Sequence, residues 1–252
     1  MKTSWPAMVA ALVACVPHLE PAEPISSDRP DHTESAQLVP RGMVQVEGGT
    51  TVASGRDTRM ASYGEILVRA GMHDALELRV EPFTYTTVSG DGAPRAAGVE
   101  DLALGIKLPI FRRDSAPRFV PDVSVIGATS VPTGAHHSRG DGAQPGAVLA
   151  ADWTLAGGLG FGSNLAISRG RSGGERYWER GASATFGIGV SERAGIYGEW
   201  FAVRDTRDDA AVHVLNTGIT YKLSSDFQLD ARIGRGNRHG GSFGGIGFAT
   251  RW

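Results

Sequence analysis

Charged residues recur at alternate positions along several stretches of this chain, and their spacing is the first chemistry it offers. Glu47, Glu65, Arg69, Glu77, Arg79, Glu81, Lys107, Asp122, Asp152, Glu199, Asp230, Arg232 and Arg251 stand in stretches where apolar residues alternate with polar or tiny ones. On an extended strand successive side chains point to opposite faces, so these groups collect on one face and the apolar residues on the other. Both signs are interspersed, and charges gathered away from bulk water must pair or pay a large desolvation cost. The chemistry implied is ion pairing around an interior. It either holds a filled centre together or lines a polar constriction through which a small solute passes.

Other reactive side chains do not assemble into a site. His136-His137-Ser138 and Asp141 include nucleophile and base types, but they fall in the Gly-rich stretch 132–145, which lacks the fixed geometry a triad needs. His213 and Asn216 lie three residues apart on a strand and so face opposite ways. No catalytic set is assigned, and a lipid-modifying enzyme is the distant alternative. His136, His137 and Asp141, with His239, would hold a transition metal only adventitiously, so no metal site is assigned. The glycine run from Gly157 to Gly162 is a turn entering a strand, not a phosphate loop entering a helix, and no cofactor is expected.

The elements that position the charges are strands. Leu102, Leu104, Ile106, Leu108 and Ile110 alternate with Asp101, Ala103, Gly105, Lys107 and Pro109. Similar segments are expected at Met43–Val52, Ala61–Ala70, Ala75–Thr86, Asp101–Phe111, Phe119–Val131, Gly146–Leu155, Leu159–Ser168, Trp178–Val190, Gly195–Arg204, Ala211–Leu223, Phe227–Gly236 and Phe243–Trp252. About twelve such strands, with an even count and almost no helical signal, predict an all-β, closed antiparallel transmembrane barrel with its apolar face outward. Leu76, Leu78 and Val80; Leu149, Ala151, Trp153 and Leu155; Ala184, Phe186, Ile188 and Val190; and Phe227, Leu229, Ala231 and Ile233 read as lipid-facing. Trp153, Trp178, Trp200, Tyr221, Phe227 and Trp252 read as a girdle at the headgroups. On this reading Leu104→Arg or Ile188→Arg near mid-membrane costs about 2–4 kcal/mol, whereas Lys107→Gln is mild.

Connections alternate in length. The segments 54–59, 88–100, 132–145, 170–177, 205–210 and 237–242 read as polar loops, and 71–74, 112–118, 156–158, 191–194 and 224–226 as turns. Outer-membrane barrels keep short turns in the periplasm, so both termini are expected there. The soluble alternative packs the apolar residues inside, but would then leave an outer face too rich in glycine and charge.

The chain has 252 residues, 35 of them Gly, and a formal net charge of -2. That balance shows no basic patch and gives no reason to expect nucleic acid. Residues 1–22 read as an export signal, with Lys2 ahead of the apolar core Met8–Val16, which is too short to span a membrane. Leu12-Val13-Ala14-Cys15 resembles a lipobox, and the other reading is an ordinary signal with Cys15 discarded. Residues 23–42 form a Pro-rich, charged leader, and 43–252 the barrel. The end Ile246, Phe248, Thr250, Trp252 resembles the C-terminal signal that hands such chains to the barrel assembly machinery. Partners are therefore outer-membrane lipid, that machinery and a small-molecule solute.

Asp28-Arg29-Pro30-Asp31, then Thr33-Glu34-Ser35, Val39-Pro40, Gly42, Gln45, Glu47 and Gly49 resemble the entry motif of a bacterial outer-membrane transporter family, labelled the meta-pathway phenol-degradation family. The strand rhythm extends the resemblance over most of the chain. His32 departs from it, standing where an aromatic such as Phe or Tyr is usual. The resemblance implies an outer-membrane barrel that takes up small aromatic or hydrophobic compounds; a non-conducting structural or sensing barrel is the alternative. Physically, the leader's charges and prolines suit either a solvated periplasmic segment or one tucked into the barrel against Arg and Glu.

Overall fold

The computed structural model describes residues 24–252, apart from 56, 91–92, 114–118, 136–139, 208–209 and 238–240. The export signal with Cys15, and His136, His137, Ser138 and His239, lie outside the described residues. Thirteen strands follow in order: β1 (Val44–Ser54), β2 (Thr58–His73), β3 (Leu76–Gly90), β4 (Ala93–Val99), β5 (Leu102–Phe111), β6 (Asp122–Val131), β7 (Gln144–Thr154), β8 (Leu159–Ser172), β9 (Glu175–Gly189), β10 (Ala194–Asp205), β11 (Val212–Ser224), β12 (Phe227–Gly236) and β13 (Ser242–Arg251). Each pairs antiparallel with its neighbours, β1 pairs with β13, and the β2–β3 ladder closes the ring. β4 and β5 lie end to end against β3 and make one wall element between them. The result is a closed barrel of twelve staves, as the alternation predicts.

Two expected loops are corrected. Most of 88–100 and 170–177 is paired strand: β3 and β4 pair as far as Gly90 and Ala93, and β8 and β9 meet at Gly173-Gly174. Both glycines there have positive φ, 59° and 85°, which a tight reversal needs and other residues resist. Strands of 14 to 16 residues exceed the roughly 9–11 that span a bilayer, so these hairpins stand clear of the membrane. β6 starts at Asp122 rather than Phe119. Trp200 sits mid-strand and faces outward against His213 at 5.8 Å, not at a strand end.

Burial is inverted relative to a water-soluble protein. The largest fully buried side chains include Arg69, Lys107, Gln45, Glu47 and Glu77, whereas Leu215, Ile233 and Ile246 are about two-thirds exposed. An apolar exterior around a charged interior is stable only where the exterior meets hydrocarbon, and a closed sheet leaves no unpaired edge there. The protein is an outer-membrane-type β-barrel.

Candidate functional site: the segment inside the barrel

Residues 25–40 enter and leave at the end of the barrel that carries Trp252. Ile25 N donates to Ser225 O at 2.8 Å in the β11–β12 turn, and Gly42 N donates to Gly71 O at 2.7 Å. Between these points the chain has no regular secondary structure, which its prolines dictate, and Ile25, Ala36 and Val39 are buried. A backbone without a ladder must find other partners, and here the lumen side chains supply them.

Asp28 is the centre of the largest group. Its carboxylate accepts from Arg79 Nη1 at 2.7 Å and lies 3.1 Å from Arg69 Nη1 and 3.3 Å from Lys107 Nζ. Arg69 also reaches Glu47 at 3.0 Å and Glu77 at 2.9 Å. The three cations face three carboxylates, so the buried set is close to neutral. Burial alone would raise the Asp28 carboxyl, but Arg69, Lys107 and Arg79 together hold it well below the ordinary carboxylate value. Glu34 meets Arg79 at 2.7 Å, but burial prevails and the nearby Asp28 carboxylate adds to it, pushing the Glu34 carboxyl from 4.5 up to about 7.

Glu199 of β10 forms a second anchor. It accepts from His32 N at 2.9 Å, Thr33 N at 2.7 Å, Thr33 Oγ1 at 2.5 Å and the Asn216 amide. The His32 ring stacks on Phe201, centroids 4.2 Å apart, so histidine serves the planar role expected of Phe or Tyr. Asp152 accepts from Ala36 N at 2.7 Å and Ser35 Oγ at 3.0 Å, and Asn164 exchanges two hydrogen bonds with the Glu34 backbone. Arg29 reaches Glu65 at 2.9 Å and Asp230 at 3.5 Å, while Arg232 Nη1 donates to Pro30 O at 2.8 Å. Gly49 and Gly247, ladder partners in β1 and β13, make room for Arg29: a Cβ at either would stand 2.3–2.4 Å from its guanidinium.

The leader residues Asp28, Arg29, Pro30, Asp31, Thr33 and Glu34 all lie inside the barrel. Each of Glu47, Glu65, Arg69, Arg79, Lys107, Asp122, Asp152, Glu199, Asp230 and Arg232 touches residues 25–40; Asp122 does so through Gln37 Nε2 at 3.2 Å. Charges on neighbouring strands pair directly, as their interspersed signs lead one to expect: Arg69 of β2 meets Glu47 of β1 and Glu77 of β3, and within β3 Arg79 meets Glu77 at 3.1 Å. One expectation changes. Lys107→Gln is not mild: Lys107 is fully buried and also donates to Ser35 O at 2.9 Å and Gln37 O at 3.3 Å. Sequence reasoning missed Ser124, Asn164 and Asn216, which share the inward parity but carry no charge to flag them.

On the side of the leader away from the termini, a cavity of about 420 Å³ remains between it and β6–β10. Ile126, Ala128, Val148, Ala166 and Val203 form an apolar wall, with His32 and Glu34 beneath.

A sequence profile for the family described as "Putative MetA-pathway of phenol degradation" matches residues 27–252. No curated protein is similar enough to match. The barrel is similar to the COG4313 outer membrane channel of Pseudomonas putida F1, with 14% identity over 86% of this chain and 98% of that one and a TM-score of 0.66. It also resembles the porin NanC, with 12% identity over 82% and 98% and a TM-score of 0.57. The KdgM porin solved with disordered oligogalacturonate gives 9% identity over 82% and 98%, also at 0.57.

Proposed function

The chain belongs to the family described as the MetA-pathway of phenol degradation, and we propose that it passes small aromatic or otherwise hydrophobic solutes across the outer membrane, with residues 25–40 setting the constriction. The observation that carries this reading is the cavity of about 420 Å³, one wall of which is apolar although Asp31, Glu179 and Arg232 also line it. A purely structural filling would have no use for Ile126, Val148 and Val203 facing an open space. Pockets of this size and character suit small organic molecules. That the solved neighbours include channels and porins supports passage as the use of the fold. The matched family's description supports the aromatic class.

Deleting the leader through Pro40, or replacing Arg79 and Arg232 by Gln, should raise conductance in planar bilayers and change liposome uptake of phenolic solutes. Absence of conductance and uptake in all three proteins would favour the non-conducting barrel instead.

The same reading places both termini in the periplasm, with residues 1–22 as export signal and the strand ending at Trp252 as the segment offered to the assembly machinery. Protease added to intact cells should cut within 132–145 and spare Ser191–Ala194. Cleavage at both would reverse or abolish this orientation.

A further inference from the structure

The outer face of the barrel changes character at the end remote from the termini. On β8–β12 the inward positions are marked by Asn164, Ser183, Glu199, Asn216 and Asp230, so the alternate positions face out. Beside the short turns the outward residues are Leu159, Ile188, Ile196, Tyr221 and Phe227. At the other end of the same five staves they are Arg169, Arg180, Arg204, His213 and Arg235. Arg180 is eight residues from Ile188, a climb of about 20 Å at a strand tilt of about 40°, close to the apolar band's height of about 25 Å. The row stands where hydrocarbon gives way to headgroups.

Two directly opposed pairs on this face carry like charge: Arg171 with Arg176 in the β8–β9 hairpin, and Arg180 with Arg204 between β9 and β10. Like charges across a ladder are destabilising, and an anion between them removes the penalty. The neighbouring Glu175, Glu179 and Asp205 fall on the inward parity. Among the described residues, the guanidinium groups of Arg169, Arg176, Arg180 and Arg235 have no hydrogen bond or ion pair, and that of Arg171 donates only to Gly174 O at 3.4 Å. Arg169, Arg171 and Arg176 converge on a cavity of about 340 Å³ between the hairpin and residues 141–145. The acidic residue lining it, Asp141, already accepts from Gly174 N at 3.2 Å.

What fills this cavity adjoins hydrocarbon. Ile167 and Leu165, 43% and 61% exposed, continue the outward face of β8 below Arg169. Ala182 and Ala184 do the same below Arg180, and their small side chains leave a shallow channel between Leu165 and Trp200. Trp178, opposite Arg169 and facing out, has the amphipathic ring favoured at headgroup depth. A guanidinium grips phosphate oxygens through paired N–H donors. Resting on the orientation given above, we propose that Arg169, Arg171 and Arg176, with Arg180 beside them, bind the phosphate groups of a glycolipid in the outer leaflet, whose acyl chains lie along Leu165, Ala182 and Ala184. A soluble partner could reach the arginines but not the apolar face beneath them.

The test measures binding of diphosphorylated lipid A to the purified barrel in detergent micelles. Arg169→Gln/Arg171→Gln/Arg176→Gln should weaken it at least tenfold. Arg112→Gln/Arg113→Gln/Arg193→Gln, which removes as many charges beside the short turns, should leave it unchanged. A first variant that binds as tightly as wild type, or loses no more than the second, overturns the site. Lipid A stripped of its phosphates should bind far more weakly, and inorganic phosphate should compete only at much higher concentration. Equal binding of the stripped lipid, or competition by phosphate at the lipid's own concentration, overturns the lipid assignment. If the triple variant does not fold, Arg180→Gln decides: binding should be several-fold weaker, and an unchanged affinity overturns the proposal. Micelle binding is independent of the direction of insertion, so these results judge the site, whereas cleavage at Ser191–Ala194 in intact cells overturns the orientation and with it the choice of leaflet.

Discussion

Replacing Arg69 by Met should destabilise the barrel by about 3–5 kcal/mol, the usual cost of removing one partner from a buried ionic group. Arg69 is 1% exposed and touches three carboxylates, those of Asp28, Glu47 and Glu77, within 3.1 Å. It also donates to Gln37 O at 2.9 Å. Without it, Asp28 keeps Arg79 and Lys107 and Glu77 keeps Arg79, but Glu47 keeps only the uncharged donors Ser27 Oγ, Asp28 N and Gln45 Nε2, and the leader loses a direct backbone contact. Urea titration in lipid vesicles, followed by tryptophan fluorescence, measures the change. Adding Glu77→Gln to Arg69→Met should restore part of the loss, since that change removes one of the stranded charges. A cost under about 1 kcal/mol would mean that lumen water screens the group, as it does at surfaces.

The lipid face should respond by depth. Leu104→Arg should cost about 2–4 kcal/mol and Ile188→Arg about 0–1, since an arginine near the interface reaches the headgroups while one at mid-membrane does not. Leu104 is 44% exposed and lies in the middle of the stave formed by β4 and β5, paired to Val80 and Thr129. Ile188 is next to the last residue of β9, beside the turn before β10. The strand pattern treats the two as equivalent, and only the register separates them. Equal costs in the same refolding titration would show that the hydrocarbon band lies closer to the β9–β10 turn than the strand lengths imply.

Faces were legible because a strand's period is two, a local property that needs no partner. The alternation from Leu102 to Ile110 already assigns Leu104 outward and Lys107 inward, and the structure places them so. Strand ends were less legible where pairing continues past the apolar band. In 88–100 and 170–177 the residues are mostly polar or tiny, and such residues read as loop, yet β3–β4 stay paired as far as Gly90–Ala93 and β8–β9 as far as Ser172–Glu175. The uncharged lumen residues Ser124 and Asn164 were missed for a related reason: a small polar side chain on the wet face is indistinguishable from filler until something lies against it.

By itself, the sequence determined the number of staves, the apolar exterior and the charged interior. Each follows from side-chain order along a strand and from the cost of exposing charge to hydrocarbon. It also marked the leader as a stretch dense in charge and proline, but left two places for it, in solvent or inside the barrel. Tertiary structure chose the interior, because closing the ring brings Arg69, Arg79 and Lys107 from three separate strands within reach of the single carboxylate of Asp28.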